Sequence, residues 1–307
     1  MSCLTLPTSL VLVLLTLLTL PGCAVAPATE ARAATFDTGA DPAAWVPVPA
    51  GDFLSGPHAE RATIERPYEI MRTPVTNTQL AAYLSSALAA RKVRVDGQRI
   101  VGWYPGDVFR GVRHEQRIDA GDYPHFPLDA PMARVRVANG VATVTPGYEQ
   151  HPATHVTWFG ARAYCESIGG SLPTEAQWEK AARGTDGRAY PWGQEILPGN
   201  ANYYGSRDPY EVGVGPQGDT TPVGFYNGRV HAGFATLDSP SPYGAYDMAG
   251  NVWQWTADVH EGQHYRYLRG GSRADYAYDL RVWTRNSAPP DYSSSSVGFR
   301  CVRAVAG

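Results

Sequence analysis

Two groups of residues in this chain have the types and spacing to do chemistry. The first is DVHEGQH, in which His260 and His264 stand four residues apart with Asp258 and Glu261 close by. Imidazoles and carboxylates together suit iron or zinc. On a helix the two rings would share a face. Gly262 argues against a helix, and a solvated loop is the alternative. The second group is the run RGGSRADYAYDLRVWTRNSAPPDYSSSSVGFRC at 269–301. It gathers hydroxyl, carboxylate, aromatic and guanidinium groups at Ser272, Asp275, Tyr276, Tyr278, Asp279, Arg281, Trp283 and Arg285, with Trp253 and Trp255 shortly upstream. Before Cys301 it holds no cysteine, histidine or methionine, and so no soft ligand. Other histidines are scattered. His151 and His155 flank Pro152 in an extended stretch and do not converge. His155 is expected to begin a core strand as a buried, hydrogen-bonded residue. Nothing joins His114 and His125 to the rest.

The cysteines divide by position. Residues 10–20 (LVLVLLTLLTL) form an apolar run too short for a comfortable membrane span, closed by Pro21-Gly22-Cys23. Leu20-Pro21-Gly22-Cys23 resembles the lipobox of bacterial lipoproteins, in which Cys23 would be lipidated and become the new N-terminus. An ordinary secretory signal cut near residues 24–28 is the alternative. Either way the protein is expected to be exported, to the bacterial periplasm or cell envelope, with a lipid anchor at Cys23 tying it to the membrane. Cys3 then leaves with the signal, and Cys165 and Cys301 remain in an oxidising compartment. A disulfide between them is the simplest expectation; two free thiols acting in catalysis or metal binding are the alternative.

These groups must be positioned by short elements. Among the 307 residues, 32 glycines, 25 prolines and 8 tryptophans favour a loop-rich fold with aromatic packing over a helical bundle. A net charge of −3 without blocks of like charge argues against a nucleic-acid partner. Residues 24–44, rich in Ala, Pro and Thr, are expected to be a flexible tether. Strands are expected at 45–51 and 68–71. The clearest helix is 76–92, capped by Thr76 or Asn77, with Leu80, Tyr83, Leu84, Ala87 and Leu88 on one face. Residues 93–150 carry expected strands at 98–102 and 133–144, the latter broken by the hairpin signal Asn139-Gly140. This segment is a possible insertion decorating the domain. A strand at 155–158 leads into a helix at 159–168 that stops at Gly169-Gly170. Another helix follows within 172–183, with a capping box of Thr174 and Gln177 and with Trp178, Ala181 and Ala182 facing inward. A long loop at 184–218 and a short strand at 221–225 precede the final stretches. No internal repeat or second core is evident, so one domain is expected at 45–307 after the 1–23 signal.

Ordered blocks now resemble a known family. They are 46–53, PVTNTQLAAYL at 74–84, 155–158, LPTEAQWEKAAR at 172–183, Pro191-Trp192-Gly193, 247–258, Arg269-Gly270-Gly271-Ser272 and Gly298-Phe299-Arg300-Cys301. Together they resemble the formylglycine-generating enzyme (sulfatase-modifying factor) family. The resemblance implies an α+β domain with a formylglycine-generating-enzyme fold related to the C-type lectin fold and low in regular secondary structure. It also implies the Cys165–Cys301 disulfide.

The resemblance carries expectations about chemistry. Family enzymes bind copper(I) through two cysteines in the loop after RGGS. Here that loop is Arg273-Ala274-Asp275-Tyr276-Ala277-Tyr278-Asp279-Leu280, shorter than in those enzymes and without thiols, so copper is not expected. Iron at His260 and His264 stays an alternative. The family binds structural calcium around its GNVWEW-like motif. This chain offers Asp247, Gly250 and Val252, with Gln254 where Glu is usual, so calcium is possible but weakened. Asn202 and Tyr203 would form a second such site. The resemblance places Trp253, Ser272, Asp275, Tyr276, Tyr278, Asp279, Arg281 and Arg285 at a substrate groove suited to peptide or aromatic ligands. The function expected is binding, or an accessory role, with a protein or peptide partner in the envelope. The alternative is an oxidoreductase, through a non-haem metal or through residual formylglycine generation.

Overall fold

The structure, a computed structural model, describes residues 36–107, 118–214, 218–260 and 264–305. Residues 1–35 lie outside the described residues, so the 1–23 signal, Cys23 and the start of the tether fall there. The elements run in order as β1 (Trp45–Val48), β2 (Gly51–Ser55), β3 (Glu60–Ile64), β4 (Tyr68–Met71), α1 (Asn77–Ala89), β5 (Val93–Asp96), β6 (Arg99–Tyr104), β7 (Gly121–Pro127), β8 (Val135–Ala138) and β9 (Val141–Val144). The second half holds α2 (Trp158–Ser167), α3 (Glu175–Arg183), α4 (Pro209–Val214), β10 (Val230–His231), β11 (Phe234–Ala235), β12 (Trp253–Val259), β13 (Arg266–Arg269), β14 (Arg285–Ala288), β15 (Val297–Gly298) and β16 (Val302–Ala304).

Two sheets frame the molecule. In the first, β4 lies between β1 and β16, so early and late parts of the chain share one antiparallel sheet. In the second the order is β14-β13-β12-β15, with β15 parallel to β12. Around them stand the β5-β6-β7 meander and the hairpins β2–β3, β8–β9 and β10–β11. The Asn139-Gly140 turn closes the β8–β9 hairpin with φ of 52° and 78°, as a two-residue turn matched to strand twist requires.

The helices form where caps and apolar faces coincide. Thr76 caps α1 and Thr174 caps α3, and in both a glutamine three residues on completes the capping box. Trp178, Ala181 and Ala182 of α3 are fully buried. The α1 face buries Leu80, Leu84 and Ala87, while Tyr83 and Leu88 are half-buried against the same core. Cys165 in α2 is bonded to Cys301, Cα to Cα 5.5 Å, across 136 residues of sequence. A loop of that length corresponds to about 5 kcal/mol in the chain-entropy account of disulfides.

Several elements depart from the sequence expectation. Residues 155–158 form no strand: His155 has φ of +61°, a left-handed turn that ends extension before α2 begins. Residues 221–225 form no strand either, because Val223 and Gly224 lie in a turn with Gly224 at φ +71°. The long loop at 184–218 contains α4. In the tether, residues 36–44 lie against the domain. The Phe36 ring sits 6.1 Å from Tyr210, 5.6 Å from Phe225 and 5.4 Å from His231. Thr38 Oγ1 donates to the Val223 carbonyl at 2.9 Å. The 93–150 segment contributes Val93, Ile100, Tyr104, Phe126, Ala133 and Val135 to the main hydrophobic core.

Candidate functional site

The stretch 269–301 builds a cleft of about 420 Å³ over the β14-β13-β12-β15 sheet. Trp253 at the start of β12 and Leu268 of β13 line it together with Ser272 and Asp275. The far side is Asn286, Ser287 and Ala288 of β14 and the segment from Tyr292 to Val297.

Ser272 and Asp275 are held by a tight loop. The backbone N–H of Ser272 donates to Asp275 Oδ2 at 2.9 Å, and the Ser272 hydroxyl donates to the same oxygen at 2.5 Å. A side chain at Gly271 would meet Leu280 Cδ1 at 2.8 Å, and its φ is +72°, so the Gly-Gly turn before Ser272 is a packing requirement. Past Asp275 a short 3₁₀ turn, Ala277–Leu280, displays its tyrosines outward. Tyr276 and Tyr278 are 59% and 61% exposed, and Tyr276 meets Tyr204 edge-on at 5.0 Å. Asp279 has its carboxyl pushed above the usual range by burial and then by the Asp275 charge.

The expected groove residues therefore divide. Trp253, Ser272 and Asp275 line the cleft, and Tyr276, Tyr278 and Asp279 stand on the turn that follows. Arg281 and Arg285 line no part of it. The Arg281 guanidinium lies 5.9 Å from the Trp283 ring centre, and Arg285 pairs with Glu175 at 3.3 Å. Trp255 is wholly buried, its indole N–H donating to the Val156 carbonyl at 3.0 Å.

Two devices that hold the cleft escaped sequence reasoning. Arg273 is 4% exposed and clamps the opposite wall. Its Nη1 donates to the Ser295 carbonyl at 2.6 Å and to Ser296 Oγ at 3.0 Å, and its Nη2 donates to Ser295 Oγ at 3.0 Å. The serine run at 293–296 was the available signal. Behind Arg269 lies a buried charge network. Glu179 Oε2 accepts from Arg269 Nη2 and Oε1 from Arg183 Nη1, both at 2.7 Å. Arg269 also donates to Glu175 at 2.9 Å and to the Val282 carbonyl at 2.7 Å. Helical periodicity in LPTEAQWEKAAR marks this face as buried but does not say that its charges are paired.

The metal candidates have other partners. His264 Nδ1 lies 2.9 Å from Asp107 Oδ2, and Asp107 also accepts from Arg266 at 2.6 Å and from the Tyr104 hydroxyl at 2.5 Å. His260 packs its ring 5.3 Å from Tyr267. Glu261 lies outside the described residues, as does His114. Among the described residues no three His, Cys, Asp or Glu side chains are grouped to hold a metal.

At the calcium motif, the Gln254 amide oxygen accepts from Trp178 Nε1 at 2.9 Å and from Arg300 Nε at 2.7 Å. The Asp247 carbonyl accepts from Gln254 Nε2 at 2.7 Å and from Arg300 Nη2 at 2.9 Å. Asp247 Oδ2 accepts from the Gly224 N–H at 2.7 Å, and burial holds its carboxyl above the usual range. Gly250, at φ +77°, gives its N–H to the Gly270 carbonyl at 2.9 Å, and Val252 is fully buried. A buried guanidinium thus supplies positive charge here, and the Gln254 amide oxygen and the Asp247 carbonyl, each already accepting two hydrogen bonds, have no lone pair left for a further cation. At the second calcium candidate, the Asn202 carbonyl accepts from Asn251 N–H at 2.7 Å and the Asn202 side chain donates to Asp219. Tyr203 is buried. Among the described residues Cys165 and Cys301 are bonded to each other, so neither offers copper(I) a thiolate.

Three further histidines are depressed bases. Burial lowers His125, His151 and His155 to about 4, helped at His155 by Arg273. His155 gives its backbone N–H to the Ser294 carbonyl at 2.9 Å, and its ring is only half-buried.

A mixed α+β domain with few helices, many short strands and a polar cleft built on loops is of the C-type lectin-like class. Within that class the chain belongs to the sulfatase-modifying factor family, since the sulfatase-modifying factor enzyme 1-like domain matches residues 31–305. It is 34% identical over 284 residues to the inactive C-alpha-formylglycine-generating enzyme 2 of Mus musculus, covering 85% of each chain. It is 33% identical over 264 residues to the formylglycine-generating enzyme of Streptomyces coelicolor, covering 77% of this chain and 78% of that one. Among solved structures, PvdO from Pseudomonas aeruginosa superposes with a TM-score of 0.55 at 21% identity, over 85% of this chain and 94% of its own. That last likeness is one of fold.

Proposed function

We propose that this chain is an exported, lipid-anchored protein of the cell envelope whose domain binds a protein or peptide partner at the Ser272–Asp275 cleft without copper chemistry. One observation carries the reading: the loop after Arg269-Gly270-Gly271-Ser272 presents aspartates and tyrosines, and the two cysteines of the domain are joined to each other. Soft-metal oxidation of a thiol substrate needs thiolate ligands, and none is at hand. The exposed Tyr276 and Tyr278 beside the cleft suit partner contact, because tyrosines present large contact area at low entropic cost. Relatives of similar identity carry both an inactive and an active name, so the residues decide more than the names do. The apolar run and Cys23 support export and the anchor.

The test has two arms. Metal analysis of untagged protein should find no stoichiometric copper or iron, and a cysteine-containing peptide incubated with it under oxygen should keep its thiol. Stoichiometric metal that disappears in the His260→Ala/His264→Ala double variant, or conversion to formylglycine, would overturn the reading. In the second arm a photo-crosslinking residue at Tyr276 should capture one defined envelope protein, and the same residue at the remote Arg91 should not.

A further inference from the structure

A second cavity, of about 430 Å³, lies between β6, β7, α2 and the Pro289-Pro290-Asp291 segment, and shares only Pro289 with the Ser272 cleft. Its wall is an aromatic stack: the rings of Tyr123 and Phe159 lie 4.5 Å apart at an interplanar angle of 24°. Pro124, Pro289 and Pro290 add flat apolar surface. The wall is fixed from behind, since Phe159 is 3% exposed and packs against Tyr104 at 5.0 Å. His264, which also lines the cavity, is held at 2.9 Å by Asp107, itself gripped by Arg266 and Tyr104. A site whose walls are already locked loses little entropy when a ligand enters.

The mouth carries two opposite charges. Arg99 and Asp291 line both this cavity and an adjoining depression of about 280 Å³. Both are exposed, and among the described residues neither makes an ion pair. An aromatic cage with a cation and an anion at its mouth is complementary to a ring carrying an ammonium and a carboxylate. The cavity volume is in the range of small-molecule sites.

We propose that this pocket binds an aromatic α-amino acid. The ring lies against the Tyr123–Phe159 stack and the prolines, the carboxylate meets Arg99, and the ammonium meets Asp291. Offset or edge-on aromatic contact and charge-assisted hydrogen bonds supply the recognition. The proposal stands apart from partner binding at the Ser272 cleft and survives the failure of that reading.

Titration of the whole protein with L-tryptophan and L-phenylalanine, followed by calorimetry and ligand-observed NMR, tests it. Saturable binding is expected for both, with N-acetyl-L-tryptophan amide, which keeps the ring and lacks both charges, binding about a hundredfold more weakly. Arg99→Ala and Asp291→Ala should each weaken L-tryptophan about tenfold while leaving the unfolding midpoint unchanged, because both side chains are exposed. No saturation by either amino acid would overturn the proposal. So would equal affinity for the neutral amide, or wild-type binding by both variants.

Discussion

Glu179 is the residue on which the support of the cleft most depends, and its removal has a calculable cost. Its carboxylate, 2% exposed, accepts from Arg183 and Arg269 at 2.7 Å, from the Gly56 N–H at 2.7 Å and from Ser55 Oγ at 3.3 Å. The two guanidiniums it joins are themselves at most 1% exposed. Glu179→Ala leaves both in the interior without this counter-charge, a class of change that costs about 3–5 kcal/mol. For a domain of this size that corresponds to a fall in melting temperature of roughly 6–20 °C. Glu175→Ala is the internal comparison. Glu175 bonds Arg269 at 2.9 Å and the exposed Arg285 at 3.3 Å from a position with 14% exposure, so water replaces much of what is lost, and the cost should be about 1 kcal/mol. Urea unfolding followed by tryptophan fluorescence gives both numbers. Arg269 also opens the Gly270-Gly271 turn into Ser272, so the Glu179 variant should weaken partner capture at Tyr276 as well. If Glu179→Ala cost less than Glu175→Ala, the network would not be the support described above.

Three further outcomes are expected. Stability should decline as pH falls from about 6.5 toward 4, because the unfolded chain protonates His125 and His151 in that window while the folded rings stay neutral down to about 4; the contribution is complete above the window, and a flat profile of urea midpoints would contradict it. Calcium or EDTA should leave the melting temperature unchanged, since Arg300 already occupies the Gln254 and Asp247 oxygens, and a calcium-dependent rise would show a cation site that these bonds do not leave room for. Radiolabelled palmitate should enter the wild type and not Cys23→Ala, and equal labelling of the two would remove the anchor.

Much of the fold was legible because its signals are local. The cap at Thr76, the capping box at Thr174, the Asn139-Gly140 turn and strand β4 depend on neighbours within a few residues, and they form as expected, with Gln79 completing a second box at Thr76. Residues 155–158 and 221–225 look like strands by composition. A left-handed His155 and a turning Gly224 break them, and both are set by distant packing. The candidate site divided on the same line. Ser272 and Asp275 follow a recognisable Gly-Gly turn, and both line the cleft. The arginines of this region are indistinguishable in sequence, yet Arg273 clamps the cleft, Arg269 is buried in a charge network, and Arg281 lies beside Trp283. Only the partners Ser295, Glu179 and Trp283 separate their roles. The Tyr123–Phe159 cavity draws on five separate parts of the chain, and no spacing rule reaches that far.

The sheet that sets β4 between β1 and β16 bears on how such a chain comes to be folded. Strand β16 is bound to β4 and to Ser171, and Cys301 beside it is bonded to Cys165. A growing chain that does not yet include residues 297–304 lacks the outer strand of one sheet, the parallel edge β15 of the other, and half of the disulfide. Contacts this far apart in sequence form slowly and late. Both sheets therefore stay without an edge strand, and Cys165 without its partner, until residues 297–304 are in place, which makes closure of the fold depend on that one short segment.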